Sequence, residues 1–344
     1  MMNIGISYWG FLESYEDSLV SNTPDGHRFG RPILVDELSR RGHNVFALQP
    51  RRETYEYEEI YNYDSEGFPN LDVLLLEWRW PTYKNSGENP TEPDLKRQEA
   101  LLEHYHGQIP VVIWDCDHKV TAEDEKRWPK AIIADPSVEP KFLTRKRERL
   151  MFWTDWRTLL PVAETGFEYG YIGNNYERDD QFERFYGHPS KYLRESGIQT
   201  TVHGNWLQKS PERVSPSFVI TKNAHVAFGQ RLNFRESMAR LNSFVATTHI
   251  SKPDYSKCGF VSPRFLENLA TSTPALVPRD LLHRNFLGEK WIVDDASDVI
   301  RKVLALSKCD VNERNSIVSE QTDAMKKIGM FDVADVVSFL LNLE

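Results

Sequence analysis

The chain has 344 residues, room for about two domains at roughly 150 residues each, and each can enclose its own core. Its 40% hydrophobic and 27% charged residues, with 18 Gly and 19 Pro, exclude a disordered, collagen-like or membrane-embedded chain. The 42 Lys plus Arg against 51 Asp plus Glu leave a formal charge of -9, which excludes a generally basic surface for nucleic acid but not one local basic groove.

In chain order, residues 3–8 read as a buried strand, followed by a polar loop through Asn22-Thr23-Pro24-Asp25-Gly26-His27. A helix begins near Pro32, which suits a first helical turn, and ends at Gly42 after Arg40 and Arg41. Residues 44–48 form a second strand, so the chain opens with a parallel strand-helix-strand unit. Residues 51–67 interleave Glu and Asp with Tyr, hold much of the acidic excess and read as a solvated segment. A third strand at 73–77 precedes a helix at 94–105, with Leu95, Leu101, Leu102 and Tyr105 near one face. Pro110 introduces the strand 111–114, which ends in Asp115-Cys116-Asp117-His118, and 131–134 is another short strand.

Periodicity fades at 154–166, where a linker is expected, and a second series then begins. A strand at 167–171 runs into Gly173-Asn174-Asn175, and the helix 179–194 behind it closes at Gly197. A strand at 200–203 ends at Gly204-Asn205. Strands at 243–247, 275–277 and 291–293 alternate with helices at 235–241, 263–270 and 296–306, and 313–344 is helical with a break at Gly329. The expected fold is α/β: two Rossmann-like domains, 1–160 and 161–310, facing a central cleft. A helical tail at 311–344 should pack back towards the first domain.

Cys116, Cys258 and Cys309 are scattered and form no C-x-x-C pair, so neither a disulfide framework nor a structural zinc site is expected. A reducing cytoplasm is the natural compartment. The first residues lack the basic start and apolar run of a signal peptide, and no run approaches the roughly 20 apolar residues that span a bilayer.

The sharpest motif is Ser262-Pro263-Arg264-Phe265-Leu266-Glu267-Asn268-Leu269-Ala270, followed by a small-residue turn and a buried strand. Ser262 can cap the helix, and Pro263 suits its first position. Arg264 and Glu267 share one side of it. An Arg beside free backbone N–H groups suits a pyrophosphate, and a carboxylate one turn on can accept both hydroxyls of a ribose; an ordinary Arg–Glu pair is the competing reading. Gly173-Asn174-Asn175 lets the backbone approach a phosphate closely, with Arg178 beyond to neutralise it, or is a plain β-to-α turn. Gly204-Asn205 is a weaker signal of the same kind.

The Arg264–Glu267 stretch resembles the sugar-nucleotide motif of GT-B glycosyltransferases, and the order of elements resembles the T-even phage DNA β-glucosyltransferase and its relatives. The carboxy-terminal pattern also resembles the CgeB-like glycosyltransferases, so the resemblance speaks for the enzyme class more than for the acceptor. It implies a nucleotide-sugar donor, a UDP-sugar first among them, and Gln230 and Arg231 where such enzymes hold the nucleotide base. It also implies Asp115 as the base that takes a proton from an acceptor hydroxyl, with Asp117 second. The Asp115-Cys116-Asp117 pair is also a D-x-D pattern, compatible with a divalent metal without requiring one.

The run Lys141, Arg145, Lys146, Arg147 and Arg149, followed by Trp153 and Trp156, is the one local patch suited to DNA phosphates and an opened base pair; a solvated charged face is the competing reading. His27, His118 and Lys119 fall on the expected acceptor side. The resulting expectation is a monomeric, phage-type glycosyltransferase acting on a 5-hydroxymethylated pyrimidine in double-stranded DNA. A protein or polysaccharide acceptor and a non-catalytic nucleotide-sugar-binding protein are the alternatives. No G-x-G-x-x-G follows either opening strand, which ranks an NAD-dependent dehydrogenase last.

Overall fold

The structure is a computed structural model that describes residues 1–8, 30–50, 60–78, 92–163, 166–204, 206 and 223–343. His27 and Asn205, expected on the acceptor and the donor, lie outside the described residues. The chain divides into two compact units, Met1–Thr154 with Met330–Glu344, and Asp155–Gly329.

The first unit is built on a seven-stranded parallel sheet. Its strands are β1 (Asn3–Ser7), β2 (Asn44–Ala47), β3 (Asn62–Tyr63), β4 (Val73–Glu77), β5 (Val111–Trp114), β6 (Ile132–Asp135) and β7 (Glu148–Arg149), in the order β3-β2-β1-β4-β5-β6-β7. β1 and β4 are central because nearly every residue of each is apolar or small and buried on both faces, as a parallel sheet requires. Ile4 lies opposite Val45 on one side and Val73 on the other. The helices α1 (Gly30–Arg40), α2 (Glu92–Tyr105) and α3 (Ala122–Arg127) connect the strands. Leu101, Leu102 and Tyr105 of α2 join Leu74, Leu76, Val111 and Ile113 in one core. α3, unforeseen in the sequence, starts at a capping box between Thr121 and Asp124.

In the second unit, β8 (Glu168–Ile172), β9 (Gln199–His203) and β10 (Val226–Gly229) form one parallel ribbon. β11 (Thr247–Thr248), β12 (Ala275–Pro278) and β13 (Ile292–Val293) form another. A parallel bridge between Tyr169 and Ala246 joins the two ribbons. The strand expected at 243–247 therefore starts later, although Val245 N–H still donates to Glu168 O at 2.7 Å. The helix expected at 179–194 is three continuous pieces: α4 (Asp179–Phe182), a π-turn at Glu183–Gly187, and α5 (His188–Glu195). Then come α6 (Phe234–Asn242), α7 (Pro253–Cys258), α8 (Pro263–Ala270) and α9 (Ala296–Leu306).

The expected tail at 311–344 divides between the units. α10 (Val311–Ile328) belongs with the second. Its Gln321 side chain bonds both the N–H and the C=O of Ala275, at 3.0 and 2.9 Å, and Arg314 donates to the carbonyls of Val245 and Phe244. Gly329, at φ 66°, ends it in the left-handed conformation that favours glycine. The chain then returns to the first unit, where Thr154 pairs with Asp332 and α11 (Val333–Leu341) packs against α1.

Candidate active site

In the second unit, β8 and β9 end in two interlocked glycine turns. Gly173 N–H donates to His203 O at 2.9 Å, and Gly204 N–H donates to Gly229 O at 3.3 Å. A Cβ on Gly204 would stand 2.3 Å from Gly173 O, and Gly204 has φ 133°, so this close approach requires glycine. Trp206 Nε1 donates to the same Gly173 oxygen at 2.6 Å and fixes the turn from the other side. Arg178 reaches back to donate from Nη1 to Asn174 O at 2.7 Å, and its guanidinium carbon lies 5.9 Å from the Tyr176 ring. Lys252 Nζ lies 5.2 Å from that ring too, adding a cation that sequence reasoning did not single out.

Asn175, expected on the donor, is buried and spent locally. Its amide donates to Asp179 at 2.6 Å, and its oxygen accepts from Arg178 N–H at 3.2 Å. These bonds shape the entry to α4. Gln230 and Arg231 are exposed beyond β10, and the Gln230 carbonyl meets His203 Nδ1 at 3.2 Å.

The Arg–Glu pair stands on α8. Pro263 occupies its first turn, but the Ser262 side chain makes no capping bond, so the expected cap is absent. Arg264 Nη1 stands 2.6 Å from Glu267 Oε2, with Glu267 5% exposed and Arg264 25%. A buried carboxylate held by a half-buried Arg in the first turns of a helix differs from a solvated surface pair: the cation is partly accessible and stands near the helix N-terminus. Behind this helix lie His249 and His283, two residues that sequence reasoning missed. Burial keeps both neutral: it holds His283 down at about 3, and it drives His249 well below the usual range, helped by the positive charge of Arg178.

In the first unit, Asp115 follows β5 at the carboxyl end of the sheet and is fully buried. Its Oδ1 accepts from the N–H groups of Lys119 and Val120 at 2.6 and 3.1 Å, and its Oδ2 accepts from Arg147 Nη1 at 2.8 Å. Burial pushes the Asp115 carboxyl up to about 6 against the opposing charge of Arg147. Arg147 also donates from Nε to Glu125 at 2.9 Å and from Nη2 to Val120 O at 3.2 Å. The turn that follows places His118 at φ 54°, a strained position for a residue with a side chain, and its Nε2 meets Ser137 Oγ at 3.0 Å. Asp117, His118 and Lys119 are half-buried on this turn. Among the described residues, no group of three or more His, Cys, Asp or Glu side chains is placed to hold a metal ion.

The basic run presents less charge than the sequence suggests. Arg147, expected on DNA phosphates, is enclosed because two buried carboxylates claim its guanidinium. Arg145 is half-buried and donates to the carbonyls of Trp128 and Pro129. Lys141 and Lys146 remain exposed. Trp153 and Trp156, expected beside an opened base, are both buried, and Trp153 packs 4.9 Å from Trp114 and donates to Gly30 O. No described helix is long and apolar enough to cross a membrane.

The chain matches no protein-family model and no curated protein sequence. Solved structures do match over nearly all of it. T4 phage β-glucosyltransferase in complex with UDP and Mn2+ is 15% identical, with a TM-score of 0.68 over 99% of this chain and 100% of that one. A mutant of the same phage enzyme in complex with UDP-glucose is 13% identical, with a TM-score of 0.66 over the same shares. An α-glucosyltransferase in complex with UDP and a 13-mer DNA containing an HMU base is 14% identical, with a TM-score of 0.65 over 99% of this chain and 97% of that one. The chain therefore has the GT-B fold that these glucosyltransferases share.

Proposed function

We propose that the protein transfers a sugar from a nucleotide sugar, in the first instance a UDP-hexose, to the hydroxymethyl group of a modified pyrimidine in DNA. One observation carries the donor half of this reading: the Arg264–Glu267 pair, with its carboxylate buried and its Arg partly open, stands in the first turns of α8. The second unit also carries the interlocked turns at Gly173 and Gly204 and the Arg178 cation. Backbone N–H groups and two guanidiniums suit a diphosphate, and Glu267 suits the two hydroxyls of a ribose. The solved structures of this fold named above hold UDP, UDP-glucose or DNA with an HMU base, which supports the same donor and acceptor classes here.

In the reaction, the acceptor oxygen attacks the anomeric carbon as its proton passes to a carboxylate, and the nucleoside diphosphate departs with the bonding pair against Arg178 and Arg264. Asp115 is closed to an acceptor while it is bound to Arg147 and two backbone N–H groups. We assign the base to Asp117, half-buried two residues further on, and give Asp115 the task of holding its turn. Titration calorimetry tests the donor half: UDP should bind the parent protein, and Arg264→Ala should weaken it by about tenfold or more, the effect of removing one charge-assisted hydrogen bond. An unchanged affinity in Arg264→Ala removes the site from α8.

A further inference from the structure

His249 and His283 lie side by side with ring centroids 5.5 Å apart, each 1% exposed, and no ring nitrogen of either has a hydrogen-bond partner among the described residues. A neutral imidazole always presents one N–H and one lone pair, so an unpaired buried ring is costly unless something else meets it. Phe265 and Phe286 rings flank the pair at 5.2 and 5.7 Å and offer no partner. The orphaned polar atoms continue nearby in Thr247 Oγ1, Ser251 Oγ and Asn268 Oδ1. They gather on β11, on the segment after it and on α8, where Asn268 adjoins Glu267.

The backbone gives His249 a definite address. It follows β11, and its N–H donates to Leu276 O at 2.8 Å. The bridge from Tyr169 to Ala246 is parallel, so beyond it the two segments run the same way, one towards Gly173 and the other towards His249. Phe265, in the first turn of α8, packs edge-on against its ring. His249 thus lies where the Gly173 turn and the start of α8 converge, near enough to Arg178 to feel its charge.

We propose that His249 hydrogen-bonds a hydroxyl of the sugar being transferred and so helps to determine which nucleotide sugar is used, with His283 behind it. This rests on the donor reading above. The chemistry favours a hydroxyl over a phosphate. A neutral imidazole both donates and accepts, as a hydroxyl does, whereas the diphosphate has Arg178, Arg264 and backbone N–H groups to meet its charge. A sugar lacking that hydroxyl would leave the imidazole unpaired, which is how a buried polar group discriminates between close analogues.

The test compares UDP alone with UDP-glucose, UDP-galactose and UDP-N-acetylglucosamine by titration calorimetry, on the parent protein, His249→Phe and His249→Asn. The expected result is that His249→Phe binds UDP within about twofold of the parent but binds the parent's preferred UDP-sugar about tenfold more weakly, and that His249→Asn recovers part of the difference. Equal affinities of parent and His249→Phe for that sugar nucleotide overturn the assignment, as does an equal weakening on UDP and UDP-sugar by both variants. A parent protein that binds no UDP refutes the donor reading itself, a result distinct from either.

Discussion

Arg147 donates to Asp115 at 2.8 Å with neither side chain exposed, and the pair joins the short edge strand β7 to the loop after β5. Two residues that the sequence assigns to different tasks, phosphate binding and proton abstraction, hold one another and the turn that carries Asp117. Removing the cation leaves Asp115 and Glu125 buried with their backbone and Thr144 donors but without the opposing charge. Arg147→Met should therefore destabilise the protein by about 3–5 kcal/mol, read as a lower urea midpoint. A midpoint within error of the parent would show that the pair does not organise this loop.

DNA phosphates, if they meet this part of the first unit, have Lys141 and Lys146 to meet, both exposed. The double substitution Lys141→Ala with Lys146→Ala should lower the slope of log affinity against log salt by about 2 for a duplex, at about 0.9 for each phosphate no longer neutralised. Fluorescence anisotropy between low and moderate salt measures it, and the urea midpoint should stay where it was.

Gly204 is the most exacting glycine of the donor region. Gly204→Ala adds a methyl 2.3 Å from a backbone oxygen at a φ of 133°, so both turns must shift. The backbone strain alone should cost about 1–3 kcal/mol, and UDP affinity should fall with it. Gly166→Ala, whose methyl would stand 3.5 Å from Ser243 O, is the tolerated control.

His283 gives a pH dependence whose sign is fixed. Its folded value, about 3, lies below the ordinary 6.5, so the unfolded chain binds more protons between those limits. The stabilisation from keeping it neutral is complete above about pH 6.5 and is lost as pH falls towards 3. Denaturation at a series of pH values should show a shallower acid decline in His283→Phe than in the parent. Superimposable acid limbs would mean that His283 takes up its proton in the folded protein.

Much of this arrangement is legible in the sequence. Asp115 reads as a strand-terminal carboxylate because the apolar run 111–114 ends there, and a parallel sheet sets such residues at one end. Arg264 and Glu267 read as neighbours because helical spacing makes them so. Arg147 does not reveal its place, because a run of charge looks solvated until partners 22 and 32 residues away close over it. Asn175 looks like a phosphate ligand because its local role, shaping the helix entry behind the turn, uses the same residue type. His249 leaves no trace: its importance lies in atoms without partners, a property of three-dimensional surroundings alone.

Sugar transfer itself is the decisive measurement: labelled UDP-hexoses incubated with duplex DNA carrying 5-hydroxymethylated pyrimidines, with the parent protein and with Asp117→Asn. Label should enter the DNA with the parent protein, and Asp117→Asn should transfer it about 100-fold or more slowly with UDP binding unchanged, the scale of a missing general base. Full activity in Asp117→Asn would return the base to another carboxylate. No label from any donor, with folded protein that binds UDP, would contradict DNA as the acceptor.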